Sequence, residues 1–295
     1  MDLQQRTPGW HEARRGKLTA SNLAALLGQV SYTSRKQAYL RALGKDPFSG
    51  NQATRWGTNN EPNGIMSYIA KTANLVTATG LHTHPHYNWL AGSPDGFVGT
   101  EGLVEVKCPY YVRKKEGVRL HSAVPHYYWV QMNALLEITG RSWCDYICWA
   151  PEGLRVFRVQ RDPDTFEFLL GYYTQIAAAI KCLSDTPPPM AKEEQLKITE
   201  RIHEAMAKGV DLTFWSNEVP SQPPATSDVD CEEDEDEVSP GKRQCVPEEG
   251  ELHGGEASDK RDAGASEAVR EGCAHEAAAE AAASLLSIRV PQVQV

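Results

Sequence analysis

The sequence predicts an α/β (α+β) fold, with a central mixed β-sheet flanked by helices and a disordered acidic tail behind it. Three observations carry that prediction. The chain has 295 residues, 41% hydrophobic and 8% aromatic, enough for one good-sized packed core. Its patterning runs in the order helices, three strands, helix, two strands, helix, as expected of a mixed sheet packed against helices. Beyond residue 215, branched apolar and aromatic residues become sparse and acidic residues accumulate.

In "GKLTASNLAALLG" a short extended piece leads into a helix, with Ser21 read as its N-cap and Gly28 as the residue past its end. A second helix is expected in "SRKQAYLRALG". A third is expected around "NNEPNGIMSYIAKTA", where Pro62 suits a first turn and puts Glu61 at the helix N-terminus. From Leu75 the pattern turns to β-type runs, "LVTATGLHTHP", "NWLAGSPDGFVG" and "GLVEVKCP". "PHYYWVQMNALLEITG" has helical spacing and stops at Gly140. The strands "SWCDYICWA" and "LRVFRVQR" follow, then a helix from about Asp162 to Leu183, which "TPPPM" breaks. These elements delimit a domain over 1–186, then a Pro-rich linker and amphipathic helix over 187–215 and the tail over 216–295.

The net charge of −9 averages two unlike regions. Residues 216–295 hold 19 acidic and 6 basic side chains, which leaves 20 acidic and 24 basic in residues 1–215, a net of +4. The predicted folded part is therefore mildly basic. The tail cannot bury enough apolar surface to offset its chain entropy and is expected to be disordered. Seven cysteines without CxxC pairing point to reduced thiols. With no long apolar run and no secretory start, the expectation is an intracellular protein, in cytoplasm or nucleus, with no membrane segment.

The chemistry concentrates in "SPDGFVGTEGLVEVKCP". On a strand, Glu105 and Lys107 share one face while Val104 and Val106 take the other. If that strand pairs with the one whose end carries Asp95, two carboxylates meet at a sheet edge, and close carboxylates repel unless a cation separates them. Such oxygen ligands suit Mg²⁺ or Mn²⁺, to which the Val106 carbonyl could add another. Lys107 would then lie nearest a bound phosphate, as hydrolysis of a phosphodiester requires. The spacing alone is equally met by a surface cross-strand pair beside a turn aspartate.

Four blocks in order decide between those readings: "GWHEARRGKLTASNLAALLG", "RWGTNNEP", "SPDG" with "EVKCP", and the Gln of "WVQMNALLEITG". Over about residues 8–180 they resemble the YqaJ-type viral recombinase family of the PD-(D/E)XK nuclease superfamily. The resemblance implies a restriction-endonuclease-like core and a metal-dependent 5′→3′ double-strand DNA exonuclease. Such an enzyme acts from 5′-phosphorylated ends and leaves 3′ overhangs. Carried over by position, Asp95, Glu105 and the Val106 carbonyl would bind two ions per site, with Glu61 beside them. Lys107 would act on the water, and Gln131 would position it. Arg14 would contact the 5′-phosphate with Ser21 nearby, in keeping with the anion affinity of helix N-termini and the arginine fork. Arg15 competes for the same role. The resemblance also allows a ring-shaped homo-oligomer, a single-strand annealing partner and a viral or phage-like origin.

A basic stretch with Arg113, Lys114, Lys115 and Arg119 interleaved with Tyr110, Tyr111 and Tyr127 is placed to hold a DNA backbone and stack on an unpaired base. His82, His84 and His86 alternate as zinc ligands could, but lack a fourth ligand and read better as a surface strand end. The rival functions are a structure- or sequence-specific endonuclease on the same fold and a non-cleaving DNA-binding protein.

Overall fold

The structure is a computed structural model and describes residues 4–46, 50–110 and 120–216. It has the mixed α/β architecture that the sequence predicts. A short helix α1 (Pro8–Ala13) precedes β1 (Leu18–Thr19), α2 (Ala20–Leu26), α3 (Arg35–Ala42) and the long α4 (Gln52–Thr72). Four short strands follow: β2 (Val76–Thr77), β3 (His82–Thr83), β4 (Leu90–Gly92) and β5 (Gly96–Val98). Then come β6 (Gly102–Lys107), α5 (His126–Thr139), β7 (Trp143–Ala150), β8 (Gly153–Gln160), α6 (Pro163–Lys181), α7 (Lys192–Gly209) and β9 (Val210–Ser216). No helix among the described residues is long and apolar enough to cross a membrane.

The main sheet has the order β2-β5-β6-β7-β8-β9, with β6 and β7 parallel and the other neighbours antiparallel. A small sheet, β1-β4-β3, stands beside it. Leu103, Cys144, Tyr146 and Val159 on one face of the main sheet pack against α2, α5, α6 and α7. Val104, Val106, Ile147, Trp149 and Val156 on the other pack with Tyr68 of α4. Both faces of β6 are therefore covered, and Glu105 is a carboxylate inside the protein rather than on a solvated strand face.

Contact between α4 and β6 is close because Gly64 has no side chain. A Cβ there would lie 2.6 Å from Val106 Cγ1 and 3.4 Å from Trp149 Cβ. Gly64→Ala should lower stability by about 1–3 kcal/mol through overpacking, read as a fall in the urea midpoint at unchanged m-value. An unchanged midpoint would show that α4 moves away from the sheet at no cost.

Several boundaries differ from the sequence expectation, each for a local reason. The N-cap of α2 is Thr19, not Ser21, and makes no side-chain capping bond; Ser21 lies exposed in the first turn. Gly28, at φ +73°, does end that helix region in the left-handed conformation glycine accepts. Helix α4 starts ten residues before Pro62, at an Asn51–Thr54 capping box, so Glu61 is a mid-helix residue and Pro62 lies inside the helix. The three strands expected between Leu75 and Pro109 are five. "SPDG" is the crossing from β4 in the small sheet to β5 in the main one.

The single helix expected over 191–215 is α7 followed by β9, which adds to the sheet through β8. His84 is buried rather than at a surface strand end. It stacks on Phe166 with ring centroids 5.9 Å apart, and its Nδ1 accepts the His86 N–H at 3.1 Å.

Candidate active site

Antiparallel pairing of Gly96 with Val104 sets Asp95 across from Glu105. The Val106 N–H donates to Asp95 Oδ2 at 2.7 Å. Because a strand residue points its N–H and C=O to the same side, the Val106 carbonyl also faces the Asp95 side, past the point where β5 begins. Glu105 is 2% exposed. Its Oε1 accepts from Lys107 Nζ at 2.5 Å and from Gln131 Nε2 of α5 at 2.6 Å. Its Oε2 is buried with no hydrogen-bond partner.

Partial burial raises the Asp95 carboxyl well above the ordinary range; the neighbouring Glu105 and Glu61 carboxylates add to the rise, and Lys107 opposes it. Burial pulls Lys107 down, but Glu105, Tyr128 and Asp95 outweigh it and hold the amine above its usual value, as an ammonium. Its Nζ lies 4.8 Å from the centroid of the Tyr128 ring. Glu61 takes the Arg6 guanidinium at 2.5 Å. The structure thus gathers Asp95, Glu105, Lys107, Gln131 and the Val106 main chain, with Glu61 electrostatically coupled to Asp95.

A divalent cation would fit the unbonded Glu105 oxygen, the raised Asp95 carboxyl and the Val106 carbonyl, a hard-oxygen set that leaves room for waters and phosphate oxygens. Among the described residues, no three Asp, Glu, His or Cys side chains form a closed cage by themselves. Lys107 and Gln131 share one Glu105 oxygen, and Arg6 holds Glu61.

The N-terminal segment reaches the same cluster. Gln5 donates to the Pro94 carbonyl at 2.8 Å, and the Trp10 indole N–H to Ser93 Oγ at 2.9 Å, which ties α1 to the "SPDG" crossing. Arg14 caps the C-terminus of α1 with its guanidinium 4.1 Å from the Trp10 ring centroid, and it donates to Thr19 Oγ1 at 3.3 Å. No carboxylate pairs with it among the described residues, and burial pushes its pKa down to about 10. Arg15 points outward to Glu12 at 3.2 Å, with 80% of its side chain exposed. Arg113 and Lys114 lie outside the described residues, as does the acidic tail from residue 217 onward.

Sequence reasoning missed Arg6 and Tyr128, which touch Glu61 and Lys107. It also missed Asp145 on β7, which is 2% exposed. Asp145 accepts from Arg158 Nε and Nη2 at 2.8 and 2.9 Å and from the Tyr68 hydroxyl at 2.7 Å. A lone charge in the strand run "SWCDYICWA" was the available signal for this last group.

The site is thus an Asp–Glu–Lys cluster on a mixed sheet, at the mouth of the antiparallel β5–β6 pair. Residues 9–142 match the family model described as the YqaJ-like viral recombinase domain. A stretch of 158 residues, 49% of the chain, is 26% identical to uncharacterized protein R354 of Acanthamoeba polyphaga mimivirus, and the match spans 29% of that relative's length. Among solved structures the chain is similar to an alkaline exonuclease (LHK-Exo) from Laribacter hongkongensis, at 26% identity and a TM-score of 0.49 over 67% of this chain and 99% of that one. It is also similar to a phage related exonuclease from Haemophilus somnus 129PT, at 14% identity and a TM-score of 0.41 over 62% and 96%.

Proposed function

We propose that the chain is a metal-dependent 5′→3′ double-strand DNA exonuclease that starts at 5′-phosphorylated ends and leaves 3′ overhangs for recombination. The observation that carries this reading is the meeting of Asp95, Glu105 and Lys107 where β5 begins beside β6, with a Glu105 oxygen buried and unbonded. The match of residues 9–142 to the YqaJ-like viral recombinase domain supports DNA processing.

Asp95, Glu105 and the Val106 carbonyl would hold Mg²⁺ or Mn²⁺, two ions per site, with Glu61 reaching them once Arg6 lets go. When bound, such a cation supplies positive charge against the phosphate oxygens and acidifies the attacking water. Lys107 would act on that water, orienting it and the scissile phosphate or helping to remove its proton. Gln131 fixes the rotamer of Glu105 by occupying one of its oxygens, which leaves the other for the cation.

Arg14 is the favoured ligand of the 5′-phosphate: a half-buried guanidinium over the Trp10 ring, with no carboxylate paired to it among the described residues, is a cation poised for an anion. Arg15, in solvent and paired to Glu12, is the weaker candidate. Ser21 is two residues from the Arg14 contact Thr19.

One assay compares 5′-phosphorylated linear, 5′-hydroxyl linear and covalently closed circular duplex in Mg²⁺. Wild type should degrade the phosphorylated linear duplex fastest and spare the circle. Arg14→Ala should reduce the phosphate preference by about 10- to 100-fold, the worth of a charge-assisted hydrogen-bond pair. Efficient cutting of the circle would favour an endonuclease, and equal loss on both linear ends would make Arg14 structural.

A further inference from the structure

Beside Lys107 a row of aromatic rings climbs from the sheet to solvent. Tyr146 of β7, fully buried, stands 5.7 Å from Tyr128, centroid to centroid. The Tyr146 hydroxyl is held by His121 Nδ1 at 2.6 Å. Tyr128 meets Tyr127 at 4.5 Å and 62°, and Tyr127 meets Tyr32 at 6.2 Å and 81°. Tyr32, between α2 and α3, is 71% exposed, so its ring shows a broad face to water. Each ring below it is at least partly buried, and the first is pinned by a hydrogen bond, so the outermost ring stands on a braced support.

From this geometry we infer that Tyr32, backed by Tyr127, is a stacking platform for an unpaired base of the DNA strand that enters the site at Lys107. This rests on the proposed nuclease reading. Lys107, the cation placed for the scissile phosphate, lies 4.8 Å from the Tyr128 centroid, and two rings further on the row ends in the open face of Tyr32, so phosphate and base would be held along it. A nucleobase has two π-faces that an aromatic side chain recognises without regard to sequence. Duplex DNA hides those faces except at an end or where strands have parted. Tyr32 would therefore favour a frayed or unpaired terminus over a closed duplex surface.

The test uses a 5′-phosphorylated duplex with an unpaired terminal 2-aminopurine, with Ca²⁺ in place of Mg²⁺, so that fluorescence reports stacking without need of cutting. Wild type and Tyr32→Phe should both quench the probe. Tyr32→Ala should lose the quenching and bind about ten-fold more weakly, at an unchanged melting temperature because the ring buries little. Steady-state kinetics in Mg²⁺ should place the defect in KM rather than kcat. Wild-type quenching and affinity in Tyr32→Ala would overturn the platform and leave the nuclease reading standing. Tyr32-dependent quenching by a wild type that degrades no duplex would do the reverse.

Discussion

Lys107→Ala should slow strand cutting by about 10²- to 10⁴-fold, the usual contribution of a positioned group acting on the reacting water. The fold should survive, because Lys107 is partly solvated and its removal does not strip Glu105: Gln131 still donates to Glu105 Oε1 at 2.6 Å. What disappears is the ammonium 2.5 Å from Glu105, the cation nearest to where a phosphate would sit. Lys107→Arg should fail to restore the rate, since a planar fork cannot stand in for a point charge in that space. Nucleotide release from a linear duplex measures the rate, and a thermal melt separates catalysis from stability. A variant with activity within a factor of two of wild type and an unchanged melt would remove Lys107 from the mechanism.

Asp145→Ala should have the largest effect on stability, about 3 kcal/mol. The carboxylate is buried, receives both Arg158 nitrogens and takes the Tyr68 hydroxyl. Deleting it leaves a guanidinium and a buried phenol short of partners, which costs more than the net worth of the intact pair. The loss is kept near the low end of the range for buried pairs because the Arg158 side chain is 32% exposed and lies over Trp143 at 3.7 Å. Asp145 pairs in register with Val104 on β6, next to Glu105, so the same change should loosen the strand that carries the site. Urea unfolding of Asp145→Ala and Asp145→Asn measures this; a shift below about 1 kcal/mol in both would show that the network is dispensable.

The elements legible in the sequence were those with many residues and clear punctuation. Helix α5 ends at Gly140, in the left-handed conformation, and α6 begins after the Asp162 cap, both as read. Strands β2 to β5 are two or three residues long, too short for any period, so they merged into longer runs. Pro62 was read as a helix start because proline is at home there, but the Asn51–Thr54 box had already opened α4. "VDLTFWS" passed for the end of an amphipathic helix, since its status as a strand depends on pairing with β8.

Of the candidate cluster, Asp95, Glu105, Lys107 and Gln131 are legible in the sequence because the first three lie within one short stretch and the blocks around them are recognisable. Arg6, Tyr128 and Tyr32 carry no such spacing. Their places beside the cluster arise only where the N-terminal segment and the start of α5 fold against β5 and β6. Adjacent on the chain, Arg14 and Arg15 diverge only in three dimensions, one onto Trp10 and the other into solvent.

The most direct measurement is strand polarity. A linear duplex labelled at either the 5′ or the 3′ terminus of one strand is incubated with wild-type protein, first with a chelator and then with Mg²⁺. The account predicts no release with chelator and, once Mg²⁺ is added, early loss of the 5′ label, late loss of the 3′ label and accumulation of 3′ single strands. Release in chelator, or early loss of the 3′ label, would contradict it.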